Sequence, residues 1–579
     1  MKLILYIPAL VILALLFNLK ATSQKIELKI SFNDTVVKTA KLINYNQNIG
    51  LPTLKNEISN TLNQLHQQAF LLATTDSIVV DSSHYHIYLH LGKTFKWTSL
   101  TNKNIDEEIL SKIGFRDKLY NNRPFSEKQL KSFFKKIILF YENHGYPFAS
   151  IKLDSIKIDG NKLAAQLLLD KNRLYKIDSV LIKGNAGISS QYIKNYIRIK
   201  EGDFYNEEAI RKISTRVKEL PFVMEEKKWK VVFTENKSKI LLYLKKKQAS
   251  RFDGILGLLP DEETGKLRLT GDIKLNLINS FHNGEKIEFN WRAIQKNTQD
   301  LKFNVSYPFL VNTPFGLDYN FKLYKKDTTF IDVGHKIGLR YILKGNNYFK
   351  VFFYNKSSSL LSQTNFEALT VLPSYADVSS QLYGIEINNT NLDYIINPRK
   401  GHHITLSGSI GNKSIKKNPQ IDEKLYEGLD LKSTLYNSEL RIDYYIPITK
   451  RSVIKLATKS GYTFNENLFD NELLRIGGLL TLRGFDEESI FASAYSIETI
   501  EYRYILEQNS YLFLFVDGAY YENNSINDFI ADRPLGFGAG MSFETRAGIF
   551  SISYAIGKQF DNPIVFRSAK IHFGFVNFF

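Results

Sequence analysis

The chain has 579 residues, no cysteine and a formal charge of +17. That length accommodates several domains. The missing cysteine excludes disulfides, thiolate metal sites, cysteine nucleophiles and a lipid anchor on an N-terminal cysteine. The charge points to acidic partners such as anionic lipid headgroups, or simply to a well-solvated surface. Aromatic residues reach 13%. Soluble α/β enzymes rarely need so many, whereas a barrel with aromatic girdles at two membrane interfaces does.

Residues 1–23 read as a secretory signal. Lys2 is the charged start, residues 3–17 are the apolar core, and Ala21-Thr22-Ser23 is a small-residue cleavage site. The apolar run is shorter than the roughly 20 residues of a membrane helix; an uncleaved anchor is the alternative. No other segment is apolar enough to span a bilayer as a helix, so a membrane-spanning part of this chain crosses by strands.

Residues 24–248 alternate helical and strand patterns, while residues 249–579 show almost only strands. The clearest soluble unit, 173–248, reads as strand (175–183), short helix (190–198), longer helix (207–220), strand (223–233) and strand (239–244). Ile210, Ile213, Val217 and Leu220 form its helical stripe, with Asn206 able to cap and Pro221 following the end. The same order recurs at 94–172. There the S-x-x-Q pattern of Ser126 to Gln129 starts a helix whose buried face is Leu130, Phe133, Phe134, Ile137, Ile138 and Tyr141. A divergent copy occupies 24–93, with a helix from Leu54 to Phe70 and a last strand HYHIYLHL. Three β-α-α-β-β units of about 75 residues resemble POTRA domains, and the GYPFA stretch from Gly145 to Ala149 is similar to that family's helix-to-strand turn.

From 249 onward, segments alternate cleanly. Ile287, Phe289 and Trp291 oppose Glu288, Asn290 and Arg292; Leu440, Ile442 and Tyr444 oppose Glu439, Arg441 and Asp443. About 16 strands are expected, beginning near Arg251, Lys266, Glu285, Leu301, Gly316, Ile331, Tyr348, Tyr383, His402, Leu435, Val453, Tyr495, Tyr511, Leu535, Phe550 and Lys570. The last strand stops on Phe579, with Ile571, Phe573 and Phe575 on its apolar face. Periodicity alone does not separate a soluble sandwich from a membrane barrel. The signal sequence, the aromatic C-terminus and the strand count favour a 16-stranded antiparallel transmembrane β-barrel over 249–579.

The longest connections fall at 362–382, 413–432 and 466–492. The last holds Gly477-Gly478 and then Leu482-Arg483-Gly484-Phe485. Glu498, Glu501, Tyr502 and Arg503 follow on the next strand, and Phe515-Val516-Asp517-Gly518 on the one after. This set is similar to the BamA/TamA superfamily of outer-membrane assembly and transport proteins. The Asn397–Gly401 turn, N-P-R-K-G, also looks like one seen there. The resemblance implies a loop tucked into the lumen, with Arg483 against Asp517 and Glu501 as a nearby partner; Gly484, Phe485 and Gly518 complete the expected lock. This chain has D-G where the family has D-x-G. A bidentate arginine–carboxylate contact is physically suited to pin a long loop against its ordering entropy. The barrel is expected to close where its first strand meets its last, with Gly254 and Gly257 weakening the first and Phe573, Phe575 and Phe579 on the second.

The resemblance implies location in the outer membrane of a diderm bacterium, with the POTRA modules in the periplasm. It also implies a role in inserting or exporting client proteins through a laterally opening barrel. The partners implied are outer-membrane lipids, client β-barrel or exported proteins and, since three modules fit TamA-type members, a TamB-like periplasmic protein. Nucleic acid is not among them. A two-partner secretion transporter is the alternative within the superfamily, and a passive porin or receptor the alternative from another class. His84, His86 and His90 share a strand face, but surface histidines explain them better than a metal site. No catalytic motif stands in its required context, so no catalytic residue, cofactor or metal is expected.

Overall fold

The computed structural model describes residues 26–33, 43–44, 46, 48–49, 51–81, 84–260, 267–293, 297–361, 369–526, 529–545 and 548–578. The signal sequence read at 1–23 and the terminal Phe579 lie outside them. The chain falls into two units, residues 1–176 with 204–208, and residues 177–203 with 209–579.

In the first unit, two modules are built the same way. Strands β1 (Ile26–Phe32), β2 (Asn48–Ile49), β3 (Thr74–Val80) and β4 (His84–His90) form a sheet in the order β2-β1-β4-β3, with β1 parallel to β4. The helix Leu51–Gln67 packs on it, and Leu28, Ile30, Leu65, Tyr85, Ile87 and Leu89 make the core. This helix starts three residues before the expected Leu54 and stops before Phe70. Ala69 has φ of 75°, which no helix continues through. His84 and His86 are held by Glu27 and Ser31.

Strands β5 (Lys96–Asn102), β6 (Ser150–Asp159) and β7 (Lys162–Asp170) form the second sheet, in the order β5-β7-β6. Its long helix, Glu127–Glu142, begins where Ser126 Oγ accepts from Gln129 N at 3.3 Å, a cap worth about 1 kcal/mol. Leu130, Phe133, Ile137 and Tyr141 turn inward at helical spacing and are buried. Gly145, at φ of 96°, follows the helix.

The second unit opens with a third sheet of the same order: β8 (Lys176–Lys183), β10 (Lys237–Lys246) and β9 (Val223–Thr234). The helix Ser190–Ile197 is capped by Ser189, whose Oγ accepts from Tyr192 N at 3.1 Å. The single helix expected over 207–220 is two pieces, Glu207–Arg211 and Ile213–Lys218, because Lys212 at ψ of −9° opens the turn. The apolar stripe survives the break: Ile210, Ile213, Val217 and Leu220 all stay buried.

The rest of this unit is a closed antiparallel barrel. Its strands are β11 (Arg251–Pro260), β12 (Leu267–Ile278), β13 (Lys286–Ala293), β14 (Gln299–Tyr307), β15 (Phe315–Lys326), β16 (Phe330–Lys344), β17 (Asn347–Leu360), β18 (Asp377–Leu392), β19 (Gly401–Lys416), β20 (Lys432–Pro447) and β21 (Ser452–Phe464). After a short ribbon of β22 (Leu474–Ile476) and β23 (Ile490–Ala492) come β24 (Ala494–Ile505), β25 (Tyr511–Asn524), β26 (Phe529–Asp532), β27 (Leu535–Thr545), β28 (Gly548–Lys558) and β29 (Lys570–Phe578). Both β26 and β27 pair with β25, so they are one strand interrupted at Arg533-Pro534, and the barrel has 16 strands. Proline has no N–H for the ladder, which places the break there.

The barrel is turned inside out relative to a soluble sandwich. Tyr383, Ile500, Leu514 and Ile571 are 60–69% exposed on the outer face, whereas Asp443, Glu501 and Asp517 are 0–4% exposed inside. Isolated exposed apolar side chains are ordinary, but a continuous outer band of them with the charges inside requires hydrocarbon as the outer solvent. Tyr444, Tyr462, Tyr502 and Tyr504 stand in the same outer face, the composition of an interfacial girdle. No helix among the described residues is long and apolar enough to cross a membrane.

The third module seats its helices on the short turns at one barrel end. Ser189 N donates to His282 O at 2.7 Å, Asn279 Nδ2 to Gly187 O at 2.8 Å, and Arg198 Nη2 to Ile342 O at 2.9 Å. Tyr192 lies edge-on to Phe309 at 5.5 Å.

Candidate functional site

The connection between β21 and β24 turns back into the lumen, and its base is fixed first. Asn471 Nδ2 donates to Ala376 O at 2.8 Å, and Glu472 pairs with the fully buried Lys413 at 2.5 Å. Arg475 meets Asp332 at 3.3 Å and lies 3.5 Å over the Tyr324 ring. The chain then reverses through Gly477 and Gly478, at φ of 114° and 91°. A Cβ on Gly477 would lie 2.4 Å from the Asp486 carbonyl oxygen, so the reversal requires glycine.

This reversal delivers Arg483 to the inner wall. Its Nε donates to Asp517 Oδ2 and its Nη2 to Asp517 Oδ1, both at 2.7 Å, and its backbone N reaches Oδ2 at 3.2 Å. The remaining Nη1 donates to Glu501 Oε2 at 2.6 Å. Glu501 Oε1 accepts from Arg503 Nε at 2.8 Å, Thr499 Oγ1 donates to Asp517 Oδ1 at 2.8 Å, and Arg503 Nη1 donates to Asn397 Oδ1 at 3.0 Å. Two arginines therefore balance two carboxylates. The Phe515 ring lies 3.6 Å beneath the Arg483 guanidinium, an added cation–π contact. Period-2 alternation explains how Thr499, Glu501, Arg503, Phe515 and Asp517 all face the lumen from β24 and β25.

The other members of the expected lock divide. Gly484 lies against β28, where an added Cβ would stand 2.7 Å from Gly557 N, and its φ is 95°. Phe485 is buried beside Leu482, Ile476, Ile490, Ile497 and Tyr521. Gly518 does not meet the loop: a Cβ there would find only Leu535 Cδ1, at 4.0 Å. The steric requirement sits at Gly536, whose added Cβ would lie 2.0 Å from Arg483 O, and at Gly557, where it would lie 2.6 Å from Gly484 O. Gly536, Gly538 and Gly540 alternate along β27, and they leave room for Arg483 O, the Phe515 ring and the Phe513 ring in turn. Sequence reading missed this stripe, as it missed Arg475, Lys413 and the link from Arg503 to Asn397. A glycine at every second position of one strand was the available signal.

The barrel closes where β11 meets β29, through two in-register pairs among the described residues, Arg251 with Phe578 and Phe252 with Asn577. The strands β18 and β19 share sixteen. Of the residues expected at the seam, Gly254 and Gly257 are in register with Ile273 and Thr270 of β12, and Phe573 and Phe575 with Ile552 and Phe550 of β28. They flank the junction, and Arg251, Phe252, Asn577 and Phe578 make its pairs.

The loop tip spans this junction with three successive acids. Asp486 pairs with Lys570 of β29 at 2.7 Å; Glu487 and Glu488 each stand 3.6 Å from Arg292 of β13, and Glu488 3.7 Å from Lys302 of β14. These contacts are part-exposed and individually weak, about 0–1 kcal/mol each. Together they brace both flanks of a thinly paired seam. Replacing all three acids by their amides is expected to raise hydrogen exchange in β29 and β11 while leaving β18 and β19 unchanged, read by mass spectrometry of the folded barrel.

Comparison with known proteins places this geometry. Residues 269–579 match the Omp85 superfamily domain, and residues 175–224 match the POTRA model described as a surface antigen variable number repeat. The structure of CdiB from Escherichia coli is similar at 13% identity and a TM-score of 0.54, covering 91% of this chain and 98% of that one. CdiB from Acinetobacter baumannii is similar at 16% identity and 0.51, covering 92% and 100%. BamA from Haemophilus ducreyi lacking POTRA domains 1–3 gives 16% identity and 0.44, covering 84% and 100%. For the two CdiB structures, at these identities, the likeness is one of fold. No curated protein matches the sequence. The family model spans more than half of the chain, and so the chain belongs to the Omp85 superfamily of outer-membrane barrels with periplasmic POTRA modules, which assemble or translocate proteins.

Proposed function

We propose that this protein is a TamA-like assembly factor: its modules collect client segments in the periplasm, and its barrel opens between β11 and β29 to pass them into the membrane. The observation that carries this reading is the seam of two residue pairs, next to sixteen in the best-paired hairpin. Unpaired N–H and C=O groups on facing edges are a template for an incoming strand. The lock of Arg483 on Asp517 and Glu501 holds the loop in the lumen beside that seam. A periplasmic protein of the TamB kind is the partner that three modules imply, and the reading assigns no catalysis to any residue. Depletion of the protein, followed by a proteomic count of outer-membrane barrels, tests it. Broad loss of barrels is expected. Loss of one or two exported proteins alone would instead identify a dedicated transporter.

A further inference from the structure

The third module has two faces, and among the described residues one of them meets the barrel. Its helices lie against the barrel turns through Ser189, Tyr192 and Arg198. The opposite face of the β8-β10-β9 sheet therefore points away from the barrel. Its composition follows from the register. Lys239 is opposite Val232, Leu241 opposite Lys230, Tyr243 opposite Lys227, and Lys245 opposite Met224. Facing residues of an antiparallel pair share one side of the sheet. The buried side is set by Ile240, Leu242 and Leu244, each at most 1% exposed, so these four pairs lie on the open side. Met224 and Val232 are 48% and 44% exposed there, with Leu181 of β8 at 41%.

Every one of these pairs sets a lysine beside an apolar side chain. No lysine in them opposes another, which spares the sheet direct like-charge repulsion. Asp178 of β8 is already shared by Lys237 at 3.3 Å and Lys239 at 3.8 Å. The surface is thus a checkerboard of cation and hydrocarbon, aimed away from the barrel and its membrane. Its complement is an extended segment in which acidic and apolar side chains alternate at every second residue, so that both kinds stand on the one face of the strand that meets the sheet.

We infer that this open sheet face of the third module holds client strands carrying acidic residues before they reach the barrel. The inference rests on the assembly reading, and it adds which clients bind and where. Lysines at this spacing attract the acids over a Debye length, and Met224, Val232 and Leu241 cover the apolar positions. Sequences whose alternating charges are basic are disfavoured by the same field.

The test uses the full chain in nanodiscs of zwitterionic lipid and a short fluorescent peptide in which every second residue is glutamate and valine in turn, with serine between them. The peptide is expected to bind, to weaken as salt rises, and to bind about tenfold more tightly than its lysine–valine counterpart. The triple variant Lys230→Glu, Lys239→Glu, Lys245→Glu is expected to lose about tenfold or more. A control variant of equal net charge, Lys131→Glu, Lys135→Glu, Lys136→Glu on the second module's helix, is expected to retain binding. Wild-type resistance of the modules to limited proteolysis shows that both variants fold. Equal loss in both variants would reduce the effect to net charge and overturn the inference, as would failure of the acidic peptide to bind. Full competition by phosphatidylglycerol vesicles would overturn it in favour of a membrane surface. Peptide binding together with unchanged barrel levels on depletion would instead remove the assembly reading and leave the surface standing.

Discussion

Arg483→Ala is expected to release the lumen loop at a cost of about 3–5 kcal/mol, the range for breaking one partner of a buried ion pair. Burial decides the magnitude. The Asp517 side chain is fully buried and that of Glu501 is 5% exposed, against 11% for Arg483. Without the guanidinium, Asp517 keeps the Thr499 hydroxyl as a donor, and its buried charge loses the two parallel hydrogen bonds and the cation that paired with it. Arg483→Lys rescues little, because an ammonium cannot donate in parallel to both oxygens of Asp517 while also reaching Glu501. The double variant Arg483→Leu, Asp517→Leu is expected to cost less than the two single changes combined, since both charges leave together. Cleavage within 466–492 by added protease, measured on the folded barrel, reads the release. A wild-type cleavage rate in Arg483→Ala would show that the loop is held by its apolar contacts and its base instead.

Gly536→Val is expected to have a comparable effect without touching a charge. Its first added carbon would stand 2.0 Å from the Arg483 carbonyl oxygen, a backbone atom that cannot rotate aside. The loop has to lift or β27 has to shift, and overpacking of this kind costs about 1–3 kcal/mol or more. The internal control is Gly518→Ala on the neighbouring strand, where the nearest atom is a leucine methyl at 4.0 Å; it is expected to stay within about 0.5 kcal/mol of wild type. The same protease assay ranks the two. Equal sensitivity at both positions would place the steric requirement elsewhere.

Which of these features could be read beforehand follows from their physics. Strand alternation has a period of 2 and survives any tertiary arrangement, so most barrel strands begin within a few residues of where the pattern puts them. The exceptions are the interrupted strand expected near Leu535, which begins with β26 at Phe529, and β18, expected near Tyr383 and beginning at Asp377. Its first turns face the folded-in loop rather than a wet lumen, and Val378 and Leu382 are buried against the loop and its neighbours. The apolar-out rule reverses there, which hid the strand. Arg483 and Asp517 stood out through the L-R-G-F and F-V-D-G motifs, whose resemblance to the superfamily implied the pair. Gly536 and Gly557 did not, because a glycine carries no side chain to announce what approaches it. Lys413 and Glu472 were equally silent, since a lysine beneath a loop reads in sequence like any lumen charge.

Lateral opening of the seam is open to a direct test, because the chain has no cysteine of its own. Phe252 and Asn577 face each other across the junction, at the spacing a disulfide accepts. Cells depleted of the wild-type protein and supplied with the variant Phe252→Cys, Asn577→Cys are expected to lose outer-membrane barrels while the bond is oxidised and to recover them on reduction. Full barrel levels with the seam quantitatively cross-linked would contradict lateral opening.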